Sequence, residues 1–369
     1  MHVLLVAEGS GGHLIPAVEV ANRLAGMGAT PQLWYAQRPQ TRGLVEDLLR
    51  TELAPAVTVR PIRVPTSGLL GRLWQSGQLW SDSQRCFETF EPEAVVGFGG
   101  WISAPVLLAA RRRGIPCLLH EQNVALGRAN RWLAPWVTRI ALSFHETAAL
   151  VDGRSLVITG MPVRPQIGRA MPSAVAQFGL APDRPVVLVV GGSQGSRAIN
   201  RLLLSSLSHW TQHERRTWQV LHITGAADEA EVRAAYAQQG LTAWVGAHLM
   251  AMEAAYAAAT LVVARAGAST IAELALCGKP ALFIPYPHAH GHQRLNARLV
   301  EAVGGGVTIE ESRATPARIA GMIRTLVKDE RLRAIMGRQI RELAMPQAVD
   351  RLTQAILTLR PSALTRSAR

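Results

Sequence analysis

The amino-acid sequence predicts an α/β protein of two similar domains, each a parallel sheet wrapped by helices. Two observations carry this expectation. Short apolar runs alternate with amphipathic stretches along the chain, the pattern of βα units around buried parallel strands. One opening also occurs twice: an apolar run, a glycine loop, then a helical stretch, first at Val3–Ala7 and again at Val186–Val190. Such a repeat marks two Rossmann-like halves, and 369 residues are enough for both.

The elements follow in order. Val3–Ala7 reads as a buried strand, Glu8-Gly9-Ser10-Gly11-Gly12-His13 as its loop, and Pro16 to Ala25 as a helix ended by Gly26 and Gly28. A second strand closes at Leu33–Gln37, and others fall near Val95–Val96, Cys117–Leu119 and Ile140–Leu142. Met161-Pro162-Val163-Arg164-Pro165 suits a connector, because proline fixes the backbone and lacks a donor. The domains are therefore expected at 1–163 and 164–345. In the second, Pro185–Val190 is a strand, Gly191-Gly192-Ser193-Gln194-Gly195 its loop and Arg197 to Leu207 a helix. Strands follow near Val220–Ile223, Leu261–Val263 and Ala281–Ile284. A last helix, within 346–360, is expected to pack back on the first domain, ahead of a frayed basic tail.

The net charge is +13, and lysine occurs only at Lys279 and Lys328. Arginine binds phosphate through a planar fork, so the excess suits either plain compositional drift or an anionic partner: nucleic acid, anionic lipid or a phosphorylated small molecule. Nucleic acid is the weakest of the three, since no zinc spacing, aromatic strand motif or long basic run occurs. Three scattered cysteines, Cys86, Cys117 and Cys277, imply no disulfide framework and a reducing compartment. The first strand lacks the layout of a secretory signal. No apolar run approaches the roughly 18 residues of a spanning helix.

Five segments carry candidate chemistry. Gly9-Ser10-Gly11-Gly12-His13 and Gly191-Gly192-Ser193-Gln194-Gly195 read either as tight turns or as seats where backbone N–H groups meet an anion. Neither has the spacing of a dinucleotide or Walker loop. Arg265-Ala266-Gly267-Ala268-Ser269-Thr270 leads into a helix whose N-terminus suits a diphosphate; Glu273 lies one turn on, on the face of Ser269. A carboxylate there either steadies its own helix or accepts from two vicinal ribose hydroxyls. His288-Ala289-His290-Gly291-His292-Gln293, with Asn296, reads as a loop of polar side chains without metal-ligand spacing, and no metal or cofactor is expected. Its amides, like those of His120-Glu121-Gln122-Asn123, suit sugar hydroxyls or plain solvation. His13 titrates near neutrality beside a glycine loop and is the candidate for proton transfer, or a simple cap or phosphate contact.

Together with Gly99-Gly100-Trp101 and Pro162-Val163-Arg164, these segments resemble, in order and over about residues 1 to 345, the lipid I N-acetylglucosaminyltransferases, the MurG family of GT-B glycosyltransferases. The resemblance implies two Rossmann-like domains whose parallel sheets face a cleft, with UDP-N-acetylglucosamine mainly on the second. Ser193 and Ala268, Ser269 and Thr270 would hold the diphosphate, Glu273 the ribose, and Leu249 the uracil. Asn123, Arg164 and Gln293 would contact sugar and phosphate. The loop of Ser10, Gly11 and Gly12 would close over the donor, and lipid I would dock on the first domain. Ser10, Glu8, Trp101, Met161 and Met250-Ala251 depart from the residues common in the family.

The implied reaction is attack by the muramyl 4-hydroxyl of lipid I on C1 of the donor sugar, with inversion, to form lipid II for peptidoglycan. His13 is the candidate base. A polyprenyl acceptor calls for peripheral contact with the cytoplasmic face of the inner membrane. Leu69-Leu70-Gly71-Arg72-Leu73-Trp74, Leu79-Trp80 and Arg111-Arg112-Arg113 are the expected anionic-membrane surface, if they are not core. The alternatives are another GT-B transferase with a different lipid acceptor and a UDP-sugar epimerase.

Overall fold

The computed structural model describes residues 1–64, 69–151, 155–288 and 291–359; the side chains of Gln40, Leu69, Leu70, Arg72 and Leu73 lie outside the described residues. The chain divides into two compact units, Met1–Arg164 with the segment from Met345 onward, and Pro165–Ala344. Arg164 and Met345, assigned from the sequence to the second domain, therefore sit in the first unit.

The strands of the first unit are β1 (His2–Ala7), β2 (Thr30–Gln37), β3 (Thr58–Arg63), β4 (Ala94–Gly97), β5 (Cys117–Glu121), β6 (Arg139–Leu142) and β7 (Leu156–Ile158). They form one parallel sheet in the order β3-β2-β1-β4-β5-β6-β7. The second unit holds β8 (Val186–Val190), β9 (Gln219–Ile223), β10 (Thr242–Gly246), β11 (Leu261–Ala264), β12 (Ala281–Phe283) and β13 (Gly306–Thr308), parallel in the order β10-β9-β8-β11-β12-β13. Both sheets have the doubly wound order. Val3–Ala7 and Val186–Val189 are fully or almost fully buried, as central strands covered on both faces must be.

This topology decides where a ligand can sit. In each sheet the chain leaves the first strand toward one edge and later returns to its other side, opening a crevice at the carboxyl ends of the two central strands. In the first unit those ends belong to β1 and β4, which deliver Glu8–His13 and Phe98–Trp101. In the second they belong to β8 and β11, which deliver the 191–195 loop and Arg265–Thr270.

Two elements differ from the sequence reading. The first helix spans Gly11–Gly26, so Pro16 lies inside it rather than at its start. Ser10 sits at the N-cap with extended backbone, and its carbonyl accepts from both His13 and Leu14, which starts the helix five residues early. Also, the segment read as a polar loop becomes helical at His292, in a helix running His292–Ala302. The last helix, Ala348–Leu357, packs against Gly11–Gly26 within the first unit, with Arg23 Nε 2.6 Å from Asp350 Oδ1.

Candidate functional site

In the first unit, Gly11, Gly12 and His13 form the opening turn of the first helix. The Ser10 hydroxyl caps nothing, so the helix end is served by backbone alone. His13 Nδ1 lies 2.9 Å from the Phe98 carbonyl. A carbonyl only accepts, so Nδ1 carries the proton and Nε2 keeps a lone pair. Burial lowers the His13 pKa from its usual value; the Glu8 carboxylate works against this and the Arg38 guanidinium with it. The imidazole is thus neutral and in the tautomer that a base needs.

Glu8 organises the facing turn. Its Oε1 accepts from the Trp101 amide at 3.1 Å, and Oε2 pairs with Arg38 at 2.9 Å. Gly100 has φ +83°, and a Cβ there would overlap Glu8 Cγ, so glycine is required on both counts. The Phe98 carbonyl accepts a second bond, from Gln122 Nε2 at 2.9 Å, while the same amide meets His120 Nδ1 at 3.2 Å. His120 is fully buried, and burial pushes its pKa down to about 4. Asn123 is held by Glu121, whose Oε1 accepts from the Asn123 backbone and side-chain amides at 2.9 and 3.2 Å. Glu121 Oε2 accepts from Gly127 and Asn130, both at 2.8 Å.

In the second unit, Gly195 has φ +74° and packs so closely on the Thr224 carbonyl that a Cβ would overlap it. Behind this contact lies a buried relay. The Tyr236 hydroxyl and Asn200 Oδ1 bracket the His222 ring at 2.8 and 3.0 Å, and Asn200 Nδ2 donates to the Thr224 carbonyl and to Asp228. Since Oδ1 only accepts, His222 Nε2 donates and Nδ1 accepts from the tyrosine. The loop carrying Ser193 therefore rests on fixed hydrogen bonds, with Ser193 itself exposed.

Ala268, Ser269, Thr270 and Glu273 share the helix Ala268–Cys277, whose N-cap Gly267 offers no side-chain cap. Among the described residues the Ser269 Oγ is buried without a hydrogen-bond partner, beside the amides that open the helix. Glu273 is buried, and the Tyr256 hydroxyl donates to its Oε2 at 2.7 Å. Tyr256 lies on Met252–Ala258, the helix that follows Leu249. Arg265 draws the remaining pieces together. It donates to Ser196 Oγ at 2.8 Å and to the Ile284 carbonyl at 2.9 Å, and it lies 5.4 Å above the Tyr286 ring. Gln293 Oε1 accepts from the Tyr286 amide at 2.9 Å. The carboxyl ends of β8 and β11 thus carry the Ser193 loop and the Ala268 helix start, and Arg265 ties Ser196 to the segment of Ile284 and Tyr286 that Gln293 holds.

Arg164 belongs to the first unit. Its buried guanidinium stays in the first unit, 4.0 Å from Glu52, near a Glu19 whose pKa burial raises to about 7. The expected membrane surface also changes. Leu79 is 2% exposed and Trp80 packs on the same core, so neither can serve as an anchor. Arg113 is engaged by Gln84 and Glu88. The Leu69, Leu70, Arg72 and Leu73 side chains, together with Ala289 and His290, lie outside the described residues. Trp74 is 66% exposed; Trp132 and Trp136 are exposed too, with Arg111 5.7 Å over the Trp136 ring. Sequence reading missed Glu121, Tyr256, Arg265 and the His222 relay as positioning groups. Glu121 and Arg265 stood inside segments already singled out, and Tyr256 gave a signal as a lone polar tip in an alanine run.

Residues 3–142 match the Glycosyltransferase family 28 N-terminal domain and residues 186–352 the C-terminal domain of the same family. A protein of Syntrophotalea carbinolica, named UDP-N-acetylglucosamine--N-acetylmuramyl-(pentapeptide) pyrophosphoryl-undecaprenol N-acetylglucosamine transferase, is 35% identical over 95% of this chain and 97% of its own. The chain belongs to glycosyltransferase family 28. Its relative of the same name from Mesorhizobium japonicum is 36% identical, covering 96% of this chain and 95% of its own. The crystal structure of Acinetobacter baumannii MurG matches with a TM-score of 0.75 at 26% identity, over 97% of this chain and 99% of that one. As a family 28 member the chain is a glycosyltransferase, and its two Rossmann-like domains are those of the GT-B class.

Proposed function

We propose that this glycosyltransferase moves N-acetylglucosamine from UDP-N-acetylglucosamine to the muramyl 4-hydroxyl of lipid I, with inversion, giving lipid II for peptidoglycan synthesis. One observation carries the reading. Relatives at 31–36% identity, matched over nearly the whole chain, bear a name that specifies the donor sugar and the pyrophosphoryl-undecaprenol acceptor.

In the proposed mechanism the muramyl oxygen attacks C1 as the bond from C1 to the diphosphate oxygen breaks. UDP departs with the electron pair, and the hydroxyl proton passes to His13 Nε2. The leaving group is already anionic, so no paired carboxylic acid is needed to protonate it. The backbone amides opening Ala268–Cys277, the Ser269 hydroxyl and Ser193 oppose the charge that grows on the diphosphate. Glu273 takes the ribose diol and Leu249 lies against uracil. Asn123, Arg164 and Gln293 contact the sugar and phosphate, and the loop of Ser10, Gly11 and Gly12 serves the donor as well.

No helix among the described residues is long and apolar enough to cross a membrane. The proposed location is peripheral, on the cytoplasmic face of the inner membrane. Exposed Trp74, Trp132 and Trp136 and the nearby arginines of the first unit meet anionic lipid there. The test mixes purified protein with UDP-N-acetylglucosamine and lipid I. UDP release with disaccharide formation supports the reading. Free sugar without acceptor, or transfer only to another lipid, sinks it.

A further inference from the structure

Tyr256 and Glu273 are both buried, Tyr256 to 1% exposure, and the tyrosine hydroxyl donates to Glu273 Oε2 at 2.7 Å. The helix carrying Tyr256 is pinned independently: Lys279 Nζ donates to the Ala257 and Ala259 carbonyls at 3.2 and 2.7 Å. The hydroxyl therefore approaches the carboxylate from a fixed direction, and removing it leaves the helix anchored. A carboxylate taken out of water needs donors, and one donor fixed in space also sets the plane of the group. A carboxylate of fixed plane can meet two neighbouring hydroxyls at once. A swivelling one serves a single hydroxyl nearly as well as a pair.

We propose that Tyr256 is a specificity-determining positioning residue: by holding the Glu273 carboxylate, it makes the site select nucleotides with an intact ribose cis-diol over 2′-deoxynucleotides. The proposal rests on the reading of Glu273 as the ribose ligand. Rejection of the deoxy form arises because the missing hydroxyl leaves a buried, correctly aimed lone pair without its donor.

The experiment titrates the full chain calorimetrically with UDP and with 2′-deoxy-UDP, for the native protein, Tyr256→Phe and Glu273→Gln. The ratio of the two affinities is read within one preparation, so any loss of folded protein cancels. Tyr256→Phe is expected to lower the UDP preference about tenfold, the worth of one hydrogen bond to a charged group, and to raise KM for UDP-N-acetylglucosamine more than it lowers kcat. If Tyr256→Phe weakens both ligands equally while Glu273→Gln abolishes the preference, the tyrosine is merely structural and the proposal fails alone. If Glu273→Gln also leaves the preference intact, the carboxylate does not meet the ribose, and the underlying reading fails with it.

Discussion

At the scale of single residues, His13 shows how a backbone carbonyl sets chemistry. The Phe98 oxygen fixes the proton on Nδ1, and burial keeps the ring neutral below the ordinary histidine range. A base must be unprotonated, so activity should fall only as pH drops through that lowered value. The acid limb of kcat/KM is expected below pH 6.5, the unperturbed value; a limb above it would contradict the assignment. His13→Ala should cut turnover more than tenfold, in the usual range for a lost general base, while UDP binding measured by calorimetry holds. Glu19 works in the other sense. Burial, then the Glu52 carboxylate, raises its pKa to about 7, and Arg164 opposes them. A raised carboxylate favours the folded state below the unfolded pKa, and that contribution is lost as pH rises through about 7. Glu19→Gln should therefore stabilise the protein at pH 8, on the order of 2 kcal/mol, and change little near pH 4. Thermal melts at the two pH values decide it: equal shifts would show that ionisation is not the cause.

Among the elements, the helix Ala268–Cys277 carries the sharpest expectation. Ser269 Oγ is buried without a partner among the described residues, which costs stability unless a ligand supplies one. Ser269→Ala should weaken UDP binding about tenfold yet leave Tm unchanged or higher; a fall in Tm with affinity intact would show a structural hydroxyl. The elements also show where sequence reading stops. The central strands β1 and β8 are unbroken apolar runs and were plain from the residues. The strands that escaped were β3, β7, β10 and β13, which are the four edges of the two sheets. An edge strand is covered less completely, so Thr58–Arg63 can hold two arginines and a proline, and Gly306–Thr308 stays half-buried throughout. Pro16 misled for a related reason. Proline suits a first helical position, but the Ser10 carbonyl, accepting from His13 and Leu14, set the start upstream instead.

For the molecule as a whole, the chain crosses from one unit to the other and returns. Ala348–Leu357 completes the first unit by burying Leu352 and Ile356. Ending the chain after Ala344 should thus make the first unit, and not the second, sensitive to protease. Cleavage mapped chiefly to Pro165–Ala344 would contradict that division. The excess of positive charge, +13 overall, makes vesicle binding expected to weaken with salt. Replacing Trp132 and Trp136 with serine should reduce sedimentation with anionic vesicles several-fold without altering UDP affinity. Unchanged sedimentation would place the contact elsewhere.

The residues alone determined the fold class, the repeated strand–loop–helix openings and the polar segments that form the site, because buried parallel strands and glycine turns leave a local imprint. Tertiary structure alone decided which side chains act through others. Glu121 reaches Gly127 and Asn130, Tyr256 reaches Glu273, and Arg265 reaches Ser196 across 69 positions of sequence. A hydrogen bond needs its partners within about 3 Å and in line. No local pattern records that when the partners come from different elements, so only the folded chain could reveal it.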